Sequence, residues 1–300
     1  MIKYILKACR PKQWTKNFIV FAGPAFNFDY SGDILQNSII SVISFCLISS
    51  SIYLLNDVID IKSDRKHPIK KFRPIASGKL TIPLALIISF VFAITSIVGA
   101  HILIPGYLSY ILLSYLLLQI IYCLKLKKEP ILDIICISAG FFLRAFAGIT
   151  ACNLPNSPWF LLTVGMLALF LTIEKRKFEL RRYLKTSIET RKVLKNYSIP
   201  LLLRFENIVT TSCFLTYSLW AAGPKLEGAN TSWMMLTIPF VIFGIFRYQL
   251  VSDPEFYANN FQDSKKKLTE TPEEILFNDT GIQLTLIGWI ITISIIGLST

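Results

Sequence analysis

Apolar runs of roughly 20 residues, long enough to carry a helix across about 30 Å of hydrocarbon, recur along most of this chain. Between them lie short polar connections, and this alternation excludes most soluble folds. Nine candidate spans can be marked, near 17–29, 34–57, 81–103, 107–124, 130–151, 158–174, 199–221, 232–251 and 281–299. Several contain Gly or Pro, which membrane helices tolerate; the first is short and holds Pro24 and Asn27. The expected class is all-α and polytopic. Composition agrees: the chain is 53% hydrophobic and 17% charged, where a soluble domain carries about 25% charge. Residues 1–17 are basic, but no small-residue cleavage site follows, so no signal peptide is expected.

The distribution of Lys and Arg sets an expected orientation. The N-terminal segment holds five, the 58–80 loop seven, the 125–129 loop three, the 175–198 loop nine and the 252–280 loop three. The alternate connections hold only Lys225. A plasma or inner membrane protein is expected, with the N-terminus and basic loops cytoplasmic and the C-terminus outside. The net charge of +12 then needs no nucleic acid, since positive-inside topology and anionic lipid account for it. The six cysteines form no CxxC pair and read as small packing residues.

One stretch breaks the apolar pattern, "YLLNDVIDIKSDRKHPIKKFRPIASG" at 53–78. Asn56, Asp57, Asp60 and Asp64 follow i, i+1, i+4, i+8 spacing, so a helix continuing past the membrane would carry them on one face. Stacked carboxylates repel one another and suit a hard divalent cation. Mg²⁺ completes its shell with waters and substrate phosphates. Lys62, Arg65, Lys66, Lys70, Lys71 and Arg73 follow at once, placed to hold phosphate oxygens. The combined feature reads as a cytoplasmic Mg²⁺–diphosphate site; the bland reading is a loop of solvated charges.

Here the residues carry a resemblance. "NDVIDIKSD" resembles the NDxxDxxxD motif of the UbiA superfamily of intramembrane prenyltransferases. "RPKQWTKN" at 10–17, "DRKHPIKKFRPIASG" at 64–78, "YCLKLKKEPILDIICISAGFFLRAFAG" at 122–148, "EKRKFEL" at 174–180 and "TPEEILFND" at 271–279 resemble its decaprenyl-phosphate phosphoribosyltransferase branch. The resemblance implies a single UbiA-like domain over 1–300, nine transmembrane helices around a central cavity, and Mg²⁺ on Asp57, Asp60 and Asp64. It also implies transfer of 5-phosphoribosyl from phosphoribosyl diphosphate (PRPP) to a polyprenyl phosphate. Diphosphate would leave ribose C1 and the lipid phosphate, already an anion, would attack without a general base.

Further residues gain weight from it. Lys16 and Asn17 enter the first span beside Trp14, either as interfacial anchors or as polar groups at the cavity mouth. Tyr122 and Lys125 end the fourth span, where the family pattern places them beside the site. Arg144 lies inside the fifth span, where an ionisable residue is a functional candidate by default; the alternative is a structural pair with a buried carboxylate. At 174–180 the superfamily usually shows DxxxD, whereas this chain has Glu174 and Glu179 around Lys175, Arg176 and Lys177. Lys175 and Arg176 are read as phosphate ligands, and Glu179 as a contact to metal or ribose hydroxyls or as an i,i+4 partner of Lys175. His67 is not read as a base. Thr271, Pro272 and Glu274 fit a capping box opening a short helix, either a lid or a surface connector.

Two other functions stay open at this level. A UbiA-type prenyltransferase would use the same aspartates, although PRPP, with its separate 5-phosphate, better matches the excess of cations. A transporter or scaffold would suit Arg144, but the acids cluster at one face and not at the midplane. The oligomeric state is open, a homo-oligomer included.

Overall fold

The computed structural model describes residues 1–28, 31–186, 192–223, 228–253, 275 and 278–299. Among these the chain is helical, with no strand. It divides into two compact units, Met1–Asn156 and Ser157–Thr300.

The first unit begins with α1, Ile2–Cys9. Arg10 closes it in the left-handed region, at φ 53°, a conformation that costs an L-residue about 1 kcal/mol. A 3-10 run, Pro11–Phe21, and the short α2, Ala22–Asn27, follow. The long α3, Gly32–Ile59, ends where Asp60 departs from helical geometry, and α4, Ile61–Lys66, continues beyond it. Three apolar helices complete the unit: α5, Ile82–Leu103; α6, Leu108–Leu124; and α7, Leu132–Ala151.

Helices α3 and α5 are joined through small polar residues. Ser51 and Ser89 hydroxyls lie 3.1 Å apart, Ser89 Oγ donates to the Ser51 carbonyl at 2.8 Å, and Ser96 Oγ donates to the Ser44 carbonyl at 2.8 Å. In lipid, small residues of this kind let helix backbones approach and hydrogen-bond, because burial of apolar surface no longer favours association. The other face of α5 presents Ile87, Phe90 and Ile94, all exposed. Such a face suits contact with lipid acyl chains.

Gly148 sets the approach of α7 to the 3-10 run. A Cβ there would meet the Val20 carbonyl oxygen at 1.9 Å, so no larger residue fits without moving the backbone. Gly148→Ala is expected to destabilise the protein by about 1–3 kcal/mol, the usual cost of overpacking. Thermal unfolding in detergent checks it: the melt should fall, and an unchanged melt would show that the Pro11–Phe21 run can shift freely.

The second unit contains α8, Pro158–Thr186; α9, Ile199–Ala222; α10, Ile238–Ser252, preceded by a 3-10 turn; and α11, Thr280–Ser299. Tyr217 Oη lies 2.6 Å from Thr237 Oγ1 and accepts from Trp289 Nε1 at 3.0 Å, tying α9 to α11. Asp279 caps α11: its Oδ1 accepts from Ile282 N–H at 2.8 Å, and its carboxylate takes a two-point bond from Arg247. Burial pushes the Asp279 carboxyl up, but Arg247 and the Ile282 and Gly281 N–H groups outweigh it and hold it below the usual carboxylate range. Its contribution to stability is therefore full above the ordinary carboxylate pKa and is lost as pH falls through the lowered value.

Among the described residues six helices are long and apolar enough to cross a membrane, and Leu108–Leu124 is a shorter apolar helix. This is a multi-pass membrane protein. The expected count of nine is not confirmed: these seven helices match seven of the nine expected stretches, and α9, Ile199–Ala222, and the 17–29 stretch are not among them. Over residues 17–28 the stretch is no continuous α-helix but the end of a 3-10 run followed by six α-helical residues, with Phe28 in the left-handed region. The predicted capping box at Thr271, Pro272 and Glu274 lies outside the described residues, and with it the short helix on which the lid reading rests.

Candidate active site

The structure gathers the charges of "NDVIDIKSD" at the C-terminal end of α3. Asp57 and Asp64 are both 2% exposed. The break at Asp60 does not separate them, because the Asp64 N–H still donates to the Asp60 carbonyl at 2.8 Å and Asp60 N–H to Asn56 at 2.9 Å. Asp57 and Asp64 thus stay close enough to share one cation, while Asn56 and Asp60 share another. Arg73 Nη1 bridges the pair, at 3.0 Å from Asp57 Oδ1 and 2.7 Å from Asp64 Oδ2. Arg10 makes a second, very short bond to the same Asp57 oxygen, and its guanidinium lies over the Tyr53 ring, 5.1 Å from the centroid. Asp60 turns elsewhere: Lys127 Nζ reaches its Oδ1 at 2.6 Å and Asn56 Oδ1 at 3.2 Å.

This arrangement refines several expectations. Arg73 meets carboxylates directly. The tip after α6 does reach the acids, but through Lys127, while Lys125 is exposed and Tyr122 is half-buried. Arg65 Nε donates to the Ala76 carbonyl at 3.2 Å and pins the loop end. Lys70 is half-buried. His67 Nδ1 accepts from the Ile69 and Lys70 N–H groups at 3.2 and 3.3 Å, which makes it a turn-builder.

The oxygens are hard donors that already converge on cations, two carboxylates on Arg73 and a carboxylate with an amide on Lys127. Among the described residues no three His, Cys, Asp or Glu side chains gather into an all-protein metal cage. Mg²⁺ does not require one, since it is commonly held by one or two carboxylates with phosphate oxygens and water. The donor set fits that ion.

Deeper in the same unit, Arg144 is 5% exposed. Its Nε donates to Asn17 Oδ1 at 2.8 Å, Nη1 to the Gly140 carbonyl at 2.8 Å and Nη2 to Tyr115 Oη at 2.7 Å. Tyr115, Phe141 and Phe45 surround the guanidinium, with centroids at 4.7, 5.5 and 5.7 Å. The structural alternative, a buried carboxylate partner, is thus replaced by an amide, a phenol, a carbonyl and aromatic faces. Asn17, fully buried, also donates toward Cys46 and Ser49. Lys16 is half-buried.

In the second unit, the 174–180 stretch forms ion pairs. Lys177 Nζ donates to Glu174 Oε1 at 2.6 Å and makes a shorter bond to Glu206 on α9; Gln249 Nε2 on α10 donates to the other Glu206 oxygen at 2.7 Å. All three charged residues are under 5% exposed. Glu179 pairs with the fully buried Arg176, at 2.7 Å and i,i+3 spacing, a partner other than the i,i+4 Lys175 considered from the sequence. Lys175 is half-buried.

Four residues were missed by the sequence reading: Arg10, Lys127, Tyr115 and Glu206. Glu206 had a usable signal, a carboxylate inside an apolar span. Arg10 and Lys127 were visible only as topology charges.

Comparison with known proteins agrees with this architecture. The chain is 34% identical to the decaprenyl-phosphate phosphoribosyltransferase of Mycobacterium tuberculosis, over 98% of this chain and 94% of that one. It is 32% identical to the protein of the same name from Corynebacterium glutamicum, over 96% and 85%. A UbiA homolog from Archaeoglobus fulgidus, solved with GPP and Mg²⁺, superposes with a TM-score of 0.70 at 18% identity, covering 97% of this chain and 99% of that one. Residues 18–260 match the UbiA prenyltransferase family, and the chain belongs to that family.

Proposed function

We propose that this protein transfers a 5-phosphoribosyl group from PRPP to a polyprenyl phosphate, releasing diphosphate, with the reacting end at the cytoplasmic side. The carrying observation is its near-full-length likeness to decaprenyl-phosphate phosphoribosyltransferases. The cation-rich carboxylate cluster supplies chemistry that suits this donor.

Asp57 and Asp64, with Asp60, would hold a divalent cation. When bound, that ion supplies Lewis-acid neutralisation of the departing diphosphate. Arg73 and Lys70 bind the donor's phosphates, and Arg65 fixes the loop that carries them. In the reaction the C1–O bond to diphosphate breaks and that oxygen keeps the electron pair, while a bond forms from C1 to a lipid-phosphate oxygen. No proton has to move. The chain's task is therefore to position the two anions and offset their charge. Asn56, Lys16, Asn17, Tyr122, Lys125 and Arg144 are proposed to shape the donor and lipid-phosphate surroundings. On the second unit Lys175, Arg176 and Glu179 are proposed as phosphate and ribose contacts.

The test offers the purified protein labelled PRPP with polyprenyl phosphate, or prenyl diphosphate with aromatic acceptors, each with and without Mg²⁺. Metal-dependent phosphoribosylated lipid is expected; a prenylated acceptor in its place would overturn the assignment. Arg73→Ala should raise KM for PRPP about tenfold or more, since a hydrogen bond to a charged group is worth about 1.5–3 kcal/mol. KM for the lipid should change less. Unchanged PRPP kinetics would remove Arg73 from donor binding.

A further inference from the structure

The carboxylates at the end of α3 are matched by the chain's own cations. Asp57, Asp60 and Asp64 carry three negative charges, and Arg10, Arg73 and Lys127 bring three positive ones onto them. These cations come from three separate places: the end of α1, the segment after α4 and the tip after α6. The Asp57 Oδ1 atom is the extreme case, with two guanidinium groups on one oxygen. Arg10 reaches it from a left-handed backbone conformation that seldom suits a side-chain-bearing residue. Both arginines keep a quarter or so of their side chains accessible, 28% for Arg10 and 25% for Arg73, so each can swing outward while Asp57 stays buried.

A divalent cation cannot take Asp57 Oδ1 while both guanidinium groups hold it. It would also add two positive charges to a balanced cluster, close to cations it repels. A diphosphate removes both obstacles, because it offers the displaced guanidinium groups strong, two-point acceptors. We infer that Arg10 and Arg73 act as built-in placeholders for the metal. They occupy the carboxylates until diphosphate draws them away, so metal and diphosphate bind cooperatively and each weakly alone. Arg10 is accordingly a positioning residue for donor and metal. By reciprocity the metal must tighten diphosphate binding by the same factor that diphosphate tightens metal binding. The metal then arrives with the donor and leaves with the product. This inference rests on the metal reading of the site given above.

Equilibrium dialysis of the intact protein in detergent tests it, with Mn²⁺ as the probe metal and inorganic diphosphate as the probe anion. Metal in excess in the protein compartment is counted as bound, which cancels the complex that forms in solution. In the wild type, diphosphate should tighten Mn²⁺ binding about tenfold or more, within the 5–150-fold range usual for coupled sites. Arg10→Gln should bind Mn²⁺ several-fold more tightly without diphosphate and show a smaller tightening with it. Arg73→Gln, on a different segment, should do the same, and thermal melts establish that both variants fold. Mn²⁺ affinity indifferent to diphosphate in the wild type overturns the proposal, and so does a folded Arg10→Gln protein with wild-type coupling. The probe anion is the product of phosphoribosyl and prenyl transfer alike. Coupling without PRPP turnover would therefore sink the donor assignment alone, and PRPP turnover without coupling would sink this inference alone.

Discussion

Asp57→Asn is expected to lower turnover by at least about 10²–10³-fold, the usual loss when one preorganised electrostatic group is removed from a reacting centre. The amide keeps the shape of the side chain but gives up the charge that would hold the metal. Asp57 is 2% exposed, and its neighbours Asp64 and Asp60 are engaged by Arg73 and Lys127. The fold should survive, because the two guanidinium groups left behind are partly solvent-accessible and Asp64 still holds Arg73. Steady-state kcat with labelled PRPP, set beside a thermal melt, separates the two effects. A well-folded variant with near-normal turnover would remove Asp57 from the reaction.

The largest stability effect is expected at Lys177. Its ammonium lies between Glu174 and Glu206, and all three side chains are 3–4% exposed. Lys177→Met would leave two carboxylates buried side by side, and breaking a buried ion pair by removing one partner costs about 3–5 kcal/mol. Replacing the whole set, Glu174→Gln with Lys177→Met and Glu206→Gln, should recover much of that loss, since the desolvation cost of the charges disappears with them. Unfolding in detergent should show a large fall for the single variant and a smaller one for the triple. A Lys177→Met protein that melts like the wild type would show that water reaches these carboxylates after all.

Much of this was legible in the sequence. Membrane helices announce themselves because hydrocarbon permits no unsatisfied backbone, so length and apolarity suffice to locate them. The acidic face of 56–64 was legible for a similar reason: its contacts are local, and helical spacing alone places the side chains. What escaped were partners brought in from afar. Arg10 meets Asp57 across 47 residues and Lys127 meets Asp60 across 67. A count of loop charges records such residues as topology and cannot show which of them turns back to the site. Arg144 was flagged correctly as unusual, yet its partners were not, because aromatic faces and an asparagine leave no mark distinct from ordinary span residues. The first span failed for a backbone reason, since apolarity does not distinguish a 3-10 run from an α-helix.

The serine contacts between α3 and α5 bear on how the site can move. Ser44 and Ser51 are seven residues apart, as are their partners Ser96 and Ser89. The two helices are therefore fastened at two points, two turns apart. Sliding α3 by one turn, about 5.4 Å, would break both fastenings together and set hydroxyls against apolar chains. Asp57 rides on that fixed rod, so it cannot advance or retreat like a piston when anions arrive. Any adjustment has to come from what surrounds the rod, the break at Asp60, the segment that carries Arg73 and the Arg10 side chain at the end of α1. The helix acts as the anvil, and only the clasp around it is free to open.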